Sequence, residues 1–419
     1  MYEILNYKQK LENNYNLKIF TNNVEFECLR QTENLLEQDV FKNCKIRLMP
    51  DTHAGKGAVI GFTGNLGDKV IPNIVGVDIG CGVLCLNLGK IDLNLKWLDE
   101  GINKYIPAGR SSHETKQNKF NKIKELICFR ELKDTLNFEK QIGTLGGGNH
   151  FIELDKDEEN NIYLVIHTGS RNMGKQVAEY YQDLAIKLCS GYDEFLANKA
   201  NIINEYKRQE RKQEIQPALK ELEKEYKVKK PKLPNELCYL ENEHRNNYLH
   251  DMKICQEYAV LNRETIAKII VEKIINPMLN EKLDFNNIDK FESIHNYINF
   301  EDNIIRKGAI SAYEGEKVII PINMRDGSLI CVGKGNNDWN NSAPHGAGRI
   351  MSRGKAKENL NMEDYINSMD GIYTTSVNQS TIDEAPMVYK PIEEIIENIK
   401  DTVDVINIIK PIYNFKASL

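Results

Sequence analysis

Glycine-crowded segments carry most of the side chains in this chain that could hold a metal ion or attack phosphorus. They are MPDTHAGKG (49–57), GVDIGCGV (76–83), GTLGGGNHFIE (143–153), VIHTGSR (165–171), the less glycine-rich ESIHN (292–296) and NSAPHGAGRIMSR (341–353). Between them they hold five of the eight histidines, with Asp51, Asp78 and Cys81. A histidine flanked by glycines has no neighbouring side chain to pack against, and glycine lets the backbone approach a ligand closely. Several such loops converging would make a metal and phosphate site.

The residue types refine that expectation. Asp78 and Cys81 offer a hard oxygen and a thiolate within one turn, a donor pair suited to Mn²⁺ or Zn²⁺. Taken alone, such a pair is more often a buried cysteine beside a turn aspartate. His150 follows three glycines and Asn149, whereas His167 closes an apolar run just before ThrGlySerArg, a place where satisfied edge histidines are common. His295 by itself reads as structural. His345 differs, because Pro344, Gly346, Arg349 and Arg353 expose the imidazole among groups that bind phosphate. One carboxylate, one thiolate and three imidazoles suit a borderline divalent ion or a close pair of them. One histidine is then left over as a nucleophile towards phosphorus.

These loops need a scaffold, and 419 residues with 41% hydrophobic side chains supply a real core. A net charge of −6 excludes a globally basic surface, so any nucleic-acid contact requires a local basic cleft. The nine cysteines include no CxxC pair, which points to a reducing compartment instead of a disulfide framework. The polar start reads as no signal peptide and no apolar run suggests a membrane span, so a cytoplasmic protein is expected. Residues 45–49, 73–80, 82–88, 151–154 and 162–166 read as β-prone runs, the last two joined in a hairpin. Helical spacing dominates 175–285, where 207–232, interrupted by Pro217 and Pro231, reads as an exposed excursion with a solvated charged face. Strands return at 318–323 and 328–333, and the end reads as a helix followed by a short strand or coil. The expectation is one α+β domain over 1–419, a glycine-loop-rich β core with surrounding helices and a helical insertion over about 175–285.

With these residues in view, the chain resembles the RtcB-type RNA ligases, GTP- and manganese-dependent enzymes that seal RNA. The resemblance runs from about Met49 to the C-terminus, weakest in the helical arm. It is carried jointly by MPDxHxGxG, GxDIGCG, GGGNHFIE, HxGSR, HN, RKGA, HGAGRxMSR and a near-terminal lysine. It implies an RtcB-like fold in which Cys81 bridges two Mn²⁺ ions, His150 and His167 complete one shell, and Asp78 and His295 the other. It implies that His345 takes GMP from GTP while Asp51 holds the other ring nitrogen. Asn149 would contact the guanylate phosphate, and Glu153, Tyr389 and Lys416 would line the guanine pocket. Arg171, Arg349 and Arg353 would hold RNA phosphates. The implied reaction joins a 3′-phosphate or 2′,3′-cyclic phosphate RNA end to a 5′-hydroxyl, through histidine–GMP and a 3′-guanylylated RNA, in RNA repair or tRNA splicing. Archease activates parts of the family. One departure stands out: the best-known branch has a cysteine where this chain has Pro344. The competing readings are a metal-dependent phosphodiesterase or cyclic phosphatase without nucleotidyl transfer, and a non-catalytic RNA-binding relative.

Overall fold

A computed structural model describes residues 2–55 and 57–417; Lys56 of the first glycine motif lies outside them. Its centre is a nearly closed, predominantly antiparallel sheet. The strand order is Lys317–Asn323, Gly327–Gly333, Val403–Lys416, Phe151–Lys156, Ile162–Thr168, Gly82–Gly89 and Asp289–Ile294. The two outer strands approach each other where the Ile319 amide donates to the Ser293 hydroxyl at 3.0 Å. The fold is α+β, as the sequence led us to expect.

Strand Ile162–Thr168 is buried on both faces, so its residues divide by parity. Leu164 and Ile166 pack outward against Ile266, Ile270 and Ile274 of the helical layer. Tyr163 and Val165 point inward with Val83, Cys85, Phe151, Ile319 and Ile330. The same parity carries His167 to the inward face at the strand's last turn. Register then brings the other loops to that end, because Gly82 pairs with both Thr168 and Ile294, and Phe151 pairs with His167. Cys81, His150, His167 and His295 therefore sit at one mouth of the sheet.

The strands expected at 82–88, 151–154, 162–166, 318–323 and 328–333 are present. Three expectations change. Residues 73–80 form no strand. Pro72 opens a short helix, Pro72–Val75, and Gly76 ends it at φ 98° before the turn that carries Asp78. Short apolar runs fit either state, and here the proline decides. The final strand is neither short nor peripheral: Val403–Lys416 spans 14 residues between Gly327–Gly333 and Phe151–Lys156. The acidic and apolar pattern before it belongs to helix Ile392–Ile399, while the strand itself buries Tyr413 and Phe415 in the core. Pro217 interrupts nothing, since it lies in the first turn of helix Ile215–Val228, where a missing N–H costs little.

The helical stretch expected over 175–285 divides by burial. Arg171–Cys189 and Asn242–Ile269 place Val177, Tyr181, Tyr248 and Tyr258 in the main core. Between them, Tyr192–Arg208 and Ile215–Val228 pack on each other, and the first has no buried side chain among the described residues. No helix among the described residues is long and apolar enough to cross a membrane.

Asp155 is a cost built into this sheet. It is fully buried beside strand partner Tyr163, and neither carboxylate oxygen has a hydrogen-bond partner. Burial, and then the charge of Glu153, pushes its carboxyl well above the usual range. An acid with a raised folded pKa contributes most below its unfolded pKa, and that contribution is lost as pH rises. Asp155→Val is therefore expected to raise stability at pH 7 by about 1–3 kcal/mol, with the gain shrinking towards pH 4. Chemical denaturation at both pH values checks this, and equal stability of the two proteins throughout would refute it.

Candidate active site

Five donor atoms converge at the mouth of the sheet. Cys81 Sγ lies 3.3 Å from His167 Nε2 and 3.6 Å from His150 Nε2. His150 Nε2 is 3.0 Å from Asp78 Oδ2, and His167 Nε2 is 3.3 Å from His295 Nε2. Backbone carbonyls fix two tautomers: His150 Nδ1–H donates to Leu145 O at 2.9 Å and His167 Nδ1–H to Asn149 O at 3.1 Å. With Nδ1 protonated, each neutral ring turns a bare Nε2 towards the cluster. Burial holds the pKa values of His167 and His295 well below that of a free imidazole. Nitrogen, sulfur and carboxylate oxygen atoms thus face one another across 3.0–3.6 Å, and burial together with the Asp78 charge pushes the Cys81 thiol well above its usual range. Such a donor set fits a divalent cation. Cys81, His150 and His167 alone bring their ligand atoms within 4.8 Å of one another.

The short contacts link these donors in pairs. Asp78 stands with His150 and His167 with His295, while Cys81 touches both pairs. The reason is topological: His167 and His295 leave strands that flank Gly82–Gly89 on opposite sides, and Cys81 opens that strand.

His345 stands beside the cluster, its ring centroid 4.8 Å from that of His295. It follows strand Ser342–Pro344, which pairs with Ala309–Ser311. Its Nδ1 lies 2.6 Å from Oδ2 of the fully buried Asp51, and its backbone amide donates to the same oxygen at 3.1 Å. Two bonds to one carboxylate fix the ring and leave Nε2 free of that partner. Gly348, at φ 74°, lets the loop return over Asp51, because a Cβ there would stand 2.5 Å from the Asp51 carbonyl oxygen.

A pocket opens from His345 and is lined by Asn149, Phe151, Glu153, His167, Arg349, Arg353, Glu384, Tyr389 and Lys416. The structure thus brings Asn149, Glu153, Tyr389 and Lys416 together, although they are far apart in sequence. The three arginines do not act as one group. Arg349 and Arg353 line this pocket, whereas Arg171 lies on the opposite flank, in a cleft with Asp78, His150, Arg110 and Lys175. There its guanidinium is held by Thr144 Oγ1 at 3.0 Å and Gly109 O at 2.8 Å.

Two pocket residues had no role in the sequence reading. Glu384 is buried at the centre of a charged network, accepting from Lys416 Nζ at 3.0 Å and Tyr389 OH at 2.7 Å, and pairing with Arg353 at 3.0 Å. Burial alone would raise its pKa, but the charges of Lys416 and Arg353 and the tyrosine hydroxyl reverse that and bring it to about 2. Glu153 lacks such compensation: burial raises it to about 7 against the pull of Lys416 and a hydrogen bond from Asn414. His53 lines the same pocket, its Nδ1–H on Asp51 O at 2.9 Å, and burial lowers its pKa to about 4. Nothing near Glu384 in the sequence, SerThrIleAspGluAlaPro, marks it as a site residue.

The chain is similar to known proteins along most of its length. The family model described as "tRNA-splicing ligase RtcB" matches residues 31–417. The RNA-splicing ligase RtcB of Escherichia coli K12 is 30% identical over 448 aligned positions, covering 99% of this chain and 100% of that protein. The tRNA-splicing ligase RtcB of Nanoarchaeum equitans is 28% identical over 83% of each chain. That of Archaeoglobus fulgidus is 26% identical, over 84% of this chain and 82% of the relative.

The Glu384 network has a direct consequence for acid stability. Its folded pKa of about 2 lies below the ordinary 4.5, so its contribution is present above pH 4.5 and is lost as pH falls towards 2. Glu384→Gln leaves Lys416, 7% exposed, without its carboxylate. The variant is expected to lose about 3 kcal/mol at pH 7 and to show a flatter stability profile between pH 5 and 2. Denaturant titrations across that range check both parts, and an unchanged acid slope would refute the account.

Proposed function

The chain belongs to the RtcB family of tRNA-splicing ligases, and on that premise we propose that it joins RNA ends through a guanylylated His345. The observation that carries this reading is the Asp51–His345 pair at 2.6 Å, set between the donor cluster and the pocket. A histidine that carries a nucleotide must offer an unprotonated nitrogen. Asp51 takes the Nδ1–H, so the Nε2 lone pair is directed at the incoming phosphate.

The steps balance as follows. His345 Nε2 attacks the α-phosphorus of GTP and pyrophosphate leaves. A 3′-phosphate RNA end then attacks the histidine-bound phosphorus, which frees His345 and forms a 3′-guanylylated end. A 5′-hydroxyl attacks the RNA phosphorus, GMP departs, and a 3′,5′-phosphodiester remains. A 2′,3′-cyclic phosphate end is first hydrolysed to the 3′-phosphate. GMP serves as the leaving group that an unactivated phosphate dianion lacks.

Residues of the pocket divide the work. Glu153, ionised, accepts two N–H donors, which matches the edge of guanine, while Tyr389 and Lys416 close the same end. Phe151 offers a ring face to the base. Asn149 reaches the guanylate phosphate, and Arg349 and Arg353 neutralise phosphate oxygens on the pocket side. Arg171, on the opposite flank, faces an RNA phosphate approaching past Asp78. The donor pairs Asp78–His150 and His167–His295, sharing Cys81, would hold two divalent ions, with Mn²⁺ suited to the mixed donors. When bound, the ions supply charge neutralisation at the attacked phosphorus. Nine free cysteines suit a reducing cytoplasm. The role is RNA repair or tRNA splicing, with archease as the activator to test.

Incubation with α-labelled GTP and Mn²⁺ tests the reading, since covalent label distinguishes a ligase from a phosphodiesterase or an RNA-binding relative. His345→Ala is expected to fold, to bind Mn²⁺ and to lose the label. RNA already guanylylated at its 3′-phosphate should restore part of the sealing, because the last step does not need the nucleophile. Covalent label on the alanine variant would refute the assignment. Cys81→Ala is expected to lose both ions and His295→Ala mainly one, because only the thiolate is shared. Equal metal loss from the two variants, measured by elemental analysis, would remove the bridging role.

A further inference from the structure

The glycines on either side of Cys81 answer to helix Asn242–Ile269, which packs behind them. A Cβ on Gly80 would lie 2.9 Å from Gln256 Cα and 3.1 Å from Ala259 Cβ, and one on Gly82 would lie 3.3 Å from Arg263 Cζ and 2.8 Å from Ser293 O. That close approach delivers two fully buried polar side chains, Asn262 and Arg263, to the backs of the donor loops.

Arg263 Nη1 donates to Gly80 O at 2.7 Å and to Thr168 O at 2.9 Å, while Nε donates to Glu292 Oε2 at 2.9 Å. Gly80 precedes Cys81, and Thr168 follows His167. Asn262 Oδ1 accepts from the amides of Gly143 and Thr144 at 2.8 and 3.1 Å, and Nδ2 donates to Thr144 O and Gly169 O at 3.2 and 3.1 Å. Thr144 is bonded in turn to Leu145, whose carbonyl fixes the His150 tautomer. Two consecutive residues of one helix therefore tie together the loops that carry Cys81, His150 and His167.

We infer that Asn262 and Arg263 are positioning residues for the metal centre, holding its donor loops in coordinating geometry before any cation arrives. The inference rests on the metal reading given above. Its chemistry is specific to these side chains. The guanidinium is a rigid fork that reaches two carbonyls and a carboxylate at once, and a lysine ammonium is a single point with no such plane. The carboxamide donates and accepts together, which serves amides of one loop and carbonyls of two. Glu292 balances the buried charge, so what the pair supplies is geometry.

The test uses the full chain and Co²⁺, whose bond to a thiolate gives a near-ultraviolet charge-transfer band. Melting temperature of the metal-free protein is recorded separately. Arg263→Lys is expected to bind Co²⁺ about 10–100-fold more weakly, as for other residues that orient ligands, and to shift the band. A part played only in folding would lower the melting temperature and leave affinity and band unchanged, and that result overturns the inference. Should Arg263→Lys fail to fold, Glu292→Gln decides: it keeps the shape of the partly exposed side chain but loosens the fork, and about tenfold weaker Co²⁺ binding is expected. Unchanged binding in that variant overturns the inference. An unmodified protein that gives no thiolate band would instead overturn the metal reading, and this inference with it.

Discussion

Buried lone pairs that face one another across little more than 3 Å are the constraint on which this structure depends. Cys81, His150, His167 and His295 are each below 8% exposed, and their Sγ and Nε2 atoms converge. Such an arrangement is unfavourable unless a positive charge sits among them, because burial has removed the water that would otherwise solvate each lone pair. It persists only if the backbone leaves the side chains no alternative. The carbonyls of Leu145 and Asn149, the strand register and the helix behind the loops supply that compulsion.

The sheet makes this possible because its strands are buried on both sides. Inward residues fill the interior until the strand ends, where the hydrophobic layer of Val83, Phe151 and Val165 gives way to imidazoles and the Cys81 sulfur. The outward face is gripped by the helical layer. Rigidity at the strand ends is what places donors from four separate loops 3.0–3.6 Å from one another. The peripheral helices over 192–228 take no part in that grip, consistent with their exposure.

A second electrostatic theme runs through the pocket. Glu153, Asp155 and Glu384 are all buried carboxylates, yet their pKa values diverge. Lys416, Arg353 and Tyr389 hold Glu384 down to about 2, burial and the charge of Glu153 push Asp155 well above the usual carboxylate range, and Glu153 lies between them at about 7. Environment, not residue type, sets each charge. Asp155 is the unfavourable member, since neither of its buried carboxylate oxygens has a hydrogen-bond partner.

Much of the chemistry was legible in the sequence because reactive residues were embedded in glycine. The segments around Asp78, Cys81, His150, His167 and His345 stand out locally, and helix-against-strand periodicity identified most elements, including the hairpin over 151–168. Local pattern did not determine the state of residues 73–80, where a proline and a glycine outweighed an apolar run, nor the length of the last strand, which is set by the two strands that flank it. It could not show which donors pair, since Asp78–His150 and His167–His295 are set by strand order. Glu384, Asn262 and Arg263 were invisible for a related reason. Each is an ordinary polar residue in its own segment, and its role depends on groups as far as 29 to 183 positions away that folding brings within hydrogen-bond range. Sequence determined which atoms were available for chemistry; tertiary structure decided which of them meet, because hydrogen bonds and coordination act over about 3 Å and chain distance carries no information at that range.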